Sequence, residues 1–137
     1  MASSIIGISP KLPVRRAGKS GFLMNTTYPE MVKQNMKNLV LTIPGERVMD
    51  IDFGVGLRRF LFEPQSEVVY DDIAARINKQ VEKYMPFIQI QGIDFTVPDD
   101  EASDENFLSV SITYEIVPLS VSDRVSIMPL RRAAGLF

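Results

Sequence analysis

Residues 42–64 read TIPGERVMDIDFGVGLRRFLFEP. The stretch holds a Pro44-Gly45 turn, a Gly54-Val55-Gly56 pair and the two arginines Arg58 and Arg59. A glycine loop followed by basic residues suggests a phosphate cradle, but the spacing does not fit. A P-loop needs two glycines five apart, then Lys and Ser or Thr, after a buried strand. Here no lysine and no third glycine follow Gly56, and no apolar strand precedes Gly54. Gly18-Lys19-Ser20 mimics the end of a P-loop, yet Pro13 stands where its first glycine belongs. Gly45, Gly54 and Gly56 therefore read as backbone devices, giving positive φ or close approach in two tight turns.

On the N-terminal side of the stretch, the pattern predicts a helix from Thr27. Thr27 and Glu30 have capping-box spacing, and Pro29 is tolerated in a first turn. Val32, Met36, Leu39, Val40 and Ile43 recur at helical intervals until Pro44-Gly45 ends the run. On the C-terminal side, a second helix is expected from about Glu67 to Tyr84 with Ser66 as its cap. Its stripe is Val69, Ile73, Ile77, Val81 and Tyr84, and Asp72 and Arg76 can pair on its outer face.

Beyond Pro86 the period changes to two. Ile93, Phe95 and Val97 alternate with polar residues, as do Leu108, Val110, Ile112, Tyr114 and Ile116. This reads as a half-buried hairpin of Gly92–Val97 with Leu108–Val117. A short last strand is expected at Arg124–Met128, limited by Pro129. The N-terminal residues 1–26 read as an arm, with short strands at Pro13–Arg16 and Phe22–Asn25. Residues 27–130 read as one domain and residues 131–137 as a tail. Helices and strands are segregated, so the expected class is α+β, with two main helices packed on a small antiparallel sheet that carries a C-terminal β-hairpin.

Composition narrows the function. The 137 residues include no histidine and no cysteine. That removes disulfides, thiol nucleophiles, imidazole acid-base catalysis and zinc sites of the usual kind. Fifteen basic against seventeen acidic side chains leave a net charge of -2, with no global attraction to nucleic acid or an anionic membrane. No apolar run approaches a membrane span, and residues 1–12 do not read as a signal peptide. Asp50, Asp52, Glu63, Asp71 and Asp72 could contain a glycosidase pair, but the chain lacks the tryptophans that commonly line sugar clefts. The acidic loop Asp99–Glu105 lacks the central glycine of an EF-hand. Arg58 and Arg59 could meet an anion or pair with nearby carboxylates, and Arg47 is expected in a structural ion pair. No cofactor, metal or catalytic residue is expected.

The same stretch and its flank, NLVLTIPGERVMDIDFGVGLRRFLFEP, resembles the signature of the gene-product-25-like family of baseplate wedge proteins from contractile phage tails. That family includes sheath initiators and a type VI secretion baseplate component. The likeness runs from about Asn35 to Tyr114. It rests on Thr42, Gly45, Glu46, Arg47, Asp50 or Asp52, Phe53, Gly54, Leu57, Glu63 and Pro64. Many members carry Tyr-Glu-Pro-Arg-Ile after the second helix, where this chain has Tyr84, Met85, Pro86, Phe87 and Ile88. In the family those charges are implicated in docking to the wedge core, so an apolar wedge contact is implied here. The resemblance implies a non-enzymatic part of the virion tail baseplate, assembled in the host cytoplasm. Its implied partners are larger wedge proteins, the tail sheath protein and nearby inner tube or hub proteins, with no nucleic acid and no membrane. Sheath strands would extend its sheet at an edge formed by Arg124, Val125, Ser126, Ile127 and Met128. The alternative is a regulatory adaptor that sequesters a partner through the same fold.

Overall fold

The computed structural model describes residues 7–18, 21–60, 63–64, 66–96 and 108–127. Two short strands come first among the described residues, β1 (Ser9–Pro10) and β2 (Met24–Asn25), paired antiparallel. Helix α1 spans Tyr28–Leu41, α2 is the single turn Leu57–Phe60, and α3 spans Glu67–Tyr84. Strands β3 (Ile88–Thr96), β4 (Ser109–Ile116) and β5 (Val121–Ile127) form one antiparallel sheet in that order. The class is α+β, as expected.

The helices form for the reasons their sequences give, with local adjustments. Ser66 caps α3 by accepting from Val69 N–H at 3.4 Å, and Asp72 pairs with Arg76 at 3.3 Å across one turn. The capping box of α1 is only half made. Glu30 accepts from Thr26 N–H rather than Thr27, and the Thr27 side chain makes no cap bond. The helix also ends at Leu41, before Pro44, because the Thr42 N–H closes the last turn on Asn38 O and the chain turns extended there. Ile43 thus falls outside the helix. Val32, Met36, Leu39 and Val40 from α1 and Ile73, Ile77 and Val81 from α3 are buried, while Val69 and Tyr84 are half-buried.

The sheet is larger than a hairpin plus a fragment. β3 begins at Ile88, four residues before the expected start, and β5 begins at Val121 rather than Arg124. A bulge between Ile90 and Gly92 explains the first difference. Ile88 and Ile90 lie on even positions and Ile93 and Phe95 on odd ones, so a regular strand would turn the two halves to opposite faces. One extra residue restores phase. The inner face then reads in rows across the three strands: Ile88–Ile116–Val121, Ile90–Tyr114–Asp123, Ile93–Ile112–Val125 and Phe95–Val110–Ile127. Most of these side chains are buried, and each large apolar one fully buried contributes roughly 1.5–3 kcal/mol. The outer face is polar. Arg124 reaches Asp94 at 3.5 Å, Gln91 donates to Glu115, and Ser111 and Ser126 are hydrogen-bonded at 3.0 Å.

The arm is anchored rather than loose over its described part. Its pairing strand is Ser9–Pro10; the expected Pro13–Arg16 strand reduces to one bridge from Arg16 to Phe22. Gln34 of α1 clamps it, accepting from Leu12 N–H and Asn25 Nδ2 and donating to Pro10 O. The acidic loop, the tail and Met128 lie outside the described residues.

Candidate functional site

The stretch that follows α1 folds back under that helix and over the end of α3. Gly54 has φ +115°, and a Cβ there would lie 2.1 Å from Thr42 O, so only glycine lets the two backbones meet. The approach is stitched by Val55 N–H to Leu39 O at 3.0 Å and Gly56 N–H to Thr42 O at 2.9 Å. Gln80 of α3 completes it, accepting from Gly54 N–H and donating to Asp52 O, both at 3.0 Å. Leu57 and Phe60 of α2 then enter the core. This is a scaffold: the N–H groups of Gly54, Val55 and Gly56 are all taken by the protein itself.

Gly45 and Glu46 build the base of a projecting loop. Gly45, at φ +98°, donates to Ile51 O at 2.8 Å, and the Glu46 carboxylate accepts from Ile43 N–H at 3.1 Å. Among the described residues Arg47 makes no ion pair, contrary to expectation. Its guanidinium lies 3.8 Å from the centroid of the Phe53 ring, a cation–π contact. Phe53 in turn meets Tyr84 edge-on at 4.9 Å, which joins the loop to the end of α3. Burial first, then the nearby Asp50 carboxylate, raises the Tyr84 pKa. Asn35, Asn38, Leu39, Arg47, Phe53, Tyr84 and Met85 line a shallow cleft of about 270 Å³ at this junction.

The structure thus brings Arg47 and Phe53 beside Tyr84 and Met85, two groups of residues that lie far apart in sequence. It separates others. Met85 is buried at 5% exposure and belongs to the core, whereas Phe87 is 39% exposed and Pro86 is exposed. Glu63 and Pro64 are exposed on the turn after α2 and are not packed scaffold. Arg124, Val125, Ser126 and Ile127 lie on β5, at one end of the sheet. Sequence reasoning passed over Val48, Met49 and Ile51, which are 92%, 98% and 64% exposed at the loop tip. Their signal was three apolar residues in a segment with neither helical nor strand period.

The carboxylates that could contain a glycosidase pair are dispersed. Asp50 and Asp52 lie in the loop, Glu63 after α2, and Asp71 and Asp72 on exposed turns of α3. Among the described residues no group of three or more acidic side chains could hold a metal ion.

The family model of baseplate wedge protein gp25 matches residues 26–118, about two thirds of the chain. Comparison with curated protein sequences finds no match. Among solved structures, the chain superimposes on a Geobacter sulfurreducens protein named as a candidate tail lysozyme. The TM-score is 0.66 at 20% identity, over 82% of this chain and 99% of that one. That likeness shows a common fold. The chain also superimposes on a component of the 6-fold symmetrised baseplate of the anti-feeding prophage, with a TM-score of 0.68 at 26% identity, over 79% of this chain and 83% of that one. The match across α1, the glycine stretch, α3 and the first two strands of the sheet settles the family: the chain belongs to the gp25 baseplate wedge proteins and is a structural component of a contractile-tail baseplate in the virion.

Proposed function

We propose that the protein docks on the larger wedge proteins through the exposed end of α3, centred on Pro86 and Phe87, and starts the sheath by lending it a sheet edge. The observation that carries the second half is the strand order. β5 ends the sheet, and among the described residues no strand pairs with its free side. Its pairing with β4 runs through seven consecutive residue pairs without a register shift, whereas β3, at the other end, is broken by the bulge at Gln91. Bulges blunt an edge, and a regular strand with unpaired N–H and C=O groups is a template for another chain. Main-chain hydrogen bonds would carry the affinity, with little demand on side-chain identity. Arg124 and the exposed Ser122 and Ser126 keep that edge polar before assembly.

In this reading residues 1–26 are the arm, residues 27–130 the domain that makes both contacts, and residues 131–137 the tail. The test is a backbone one. Successive residues of a strand point their N–H groups to opposite sides, so of Ser126→Pro and Ile127→Pro one removes a donor from the free edge and the other from the β4 ladder. The variant that stays folded is expected to enter baseplates yet fail to start a sheath. Full-length sheaths on particles carrying it would refute the edge assignment. Phe87→Glu is expected to weaken wedge binding while leaving the melting temperature of the isolated chain unchanged.

A further inference from the structure

Among the described residues, Val48 and Met49 are the most exposed large apolar side chains, and Ile51 stands two residues away. Such a group in water is a liability unless a partner covers it. The loop that carries it is not slack. Gly45 N–H to Ile51 O closes its base at 2.8 Å, Glu46 N–H to Ile43 O and Ile43 N–H to the Glu46 carboxylate lock its entry, and Asp50 Oδ1 accepts from Asp52 N–H at its exit. Arg47, stacked on Phe53, pins its flank to the end of α3. The apolar tip is therefore held out in one conformation.

From this geometry we infer that residues 46–51 form a rigid apolar finger, with Met49 at its tip, that inserts into an apolar, basic-rimmed pocket on a wedge protein. The inference rests on the wedge-docking reading above and deepens it by naming a contact surface and the chemistry of its partner. Rigidity favours insertion over adhesion. A preorganised loop loses little conformational entropy on binding, and a few buried anchors supply most of the affinity of an interface. Methionine, unbranched and polarisable, adapts to the walls of a pocket. The rim follows from charge. Residues 46–52 carry Glu46, Asp50 and Asp52 against Arg47, which already faces the Phe53 ring; Lys83 at the end of α3 feels Asp50 and Asp52, so the local charge is about -1. Carboxylates around an apolar tip call for basic residues around the pocket. The Phe53–Tyr84 contact joins the finger to the end of α3, three residues before Phe87.

The probe is the wedge complex purified from the same particle system without this chain. The full chain is titrated onto it as wild type, Met49→Asp, Val48→Asp, Asp52→Lys, Phe87→Glu and Leu12→Asp, the last a control at an exposed apolar residue of the arm. Met49→Asp and Val48→Asp are each expected to raise Kd at least about tenfold with unchanged melting temperatures. Asp52→Lys is expected to weaken binding and to flatten its salt dependence, and Leu12→Asp to leave it within about twofold of wild type. Wild-type affinity in both finger variants together with lost binding in Phe87→Glu would overturn the finger and keep the wedge reading. No binding by the wild-type chain would overturn both. Equal loss in the finger variants and Leu12→Asp would mean non-specific adhesion and would also overturn the finger.

Discussion

Gly54→Ala and Gly45→Ala are the same chemical change at two positions with the same sign of φ, and they should differ several-fold in cost. At Gly45 the φ of +98° strains any L-residue, but an added Cβ meets nothing within 4 Å. The expected loss is the conformational term alone, about 1–2 kcal/mol. At Gly54 the same kind of strain applies at +115°, and the Cβ would also sit 2.1 Å from Thr42 O and 2.8 Å from Thr42 C. Real contacts of this kind do not fall below 3.0 Å, so the Thr42 backbone must retreat by most of an ångström. It is not free to do so. Its carbonyl accepts from Gly56 N–H, its N–H donates to Asn38 O, and the neighbouring Val55 N–H holds Leu39 O. Losing two of these bonds adds about 2 kcal/mol, and disturbing the buried Val55 and Leu57 adds more. The total for Gly54→Ala is about 3–5 kcal/mol. Urea unfolding gives the free energies directly. A thermal melt should drop by about 10–15 °C for Gly54→Ala and about 3–6 °C for Gly45→Ala, at roughly 3–4 °C per kcal/mol for a chain of this size. Equal losses at the two positions, or a loss under about 1.5 kcal/mol at Gly54, would show that the backbone crossing is not what fixes this glycine.

Three further outcomes are expected. The Tyr114 side chain is fully buried and its hydroxyl has no hydrogen-bond partner among the described residues; burial, with the nearby Asp123 charge, pushes its pKa up to about 12. The fold therefore favours the neutral phenol. That contribution is complete below the unfolded value near 10 and is lost as pH rises from about 10 to about 12, a change of about 2 kcal/mol that Tyr114→Phe should abolish in urea titrations at each pH. At neutral pH, Tyr114→Phe should not destabilise the protein, because it removes an unsatisfied polar atom from the core. Gln34→Ala cuts the three bonds that hold the arm to α1, so amide exchange should quicken at residues 8–12 and 23–25 while the main transition loses only about 1–2 kcal/mol. Purified protein should release no sugar from peptidoglycan; turnover that vanishes in Glu63→Gln would contradict the structural assignment.

The sequence alone determined what depends on near neighbours and on residue type. The stripes of α1 and α3 were legible because a helix repeats its buried face every three or four residues, and Ser66 announced its helix because an N-cap needs a short side-chain oxygen. Gly45 and Gly54 were recognisable as backbone devices because glycine alone tolerates positive φ cheaply. The family was legible in residues 42–64 because its signature is local. Tertiary structure decided the rest. The N-terminal half of β3 was hidden because the bulge at Gln91 breaks the alternation that identifies a strand, and only pairing with β4 restores its phase. Arg47 had several carboxylates within reach along the chain, yet it stacks on Phe53, whose place is set by Tyr84 more than thirty residues away. Met85 and Phe87 look alike in sequence, and only packing buries the first and exposes the second. The exposure of Met49 was equally invisible, because an apolar residue in a loop can fold inward or project, and the hydrogen bonds of Gly45 and Glu46 decide that it projects.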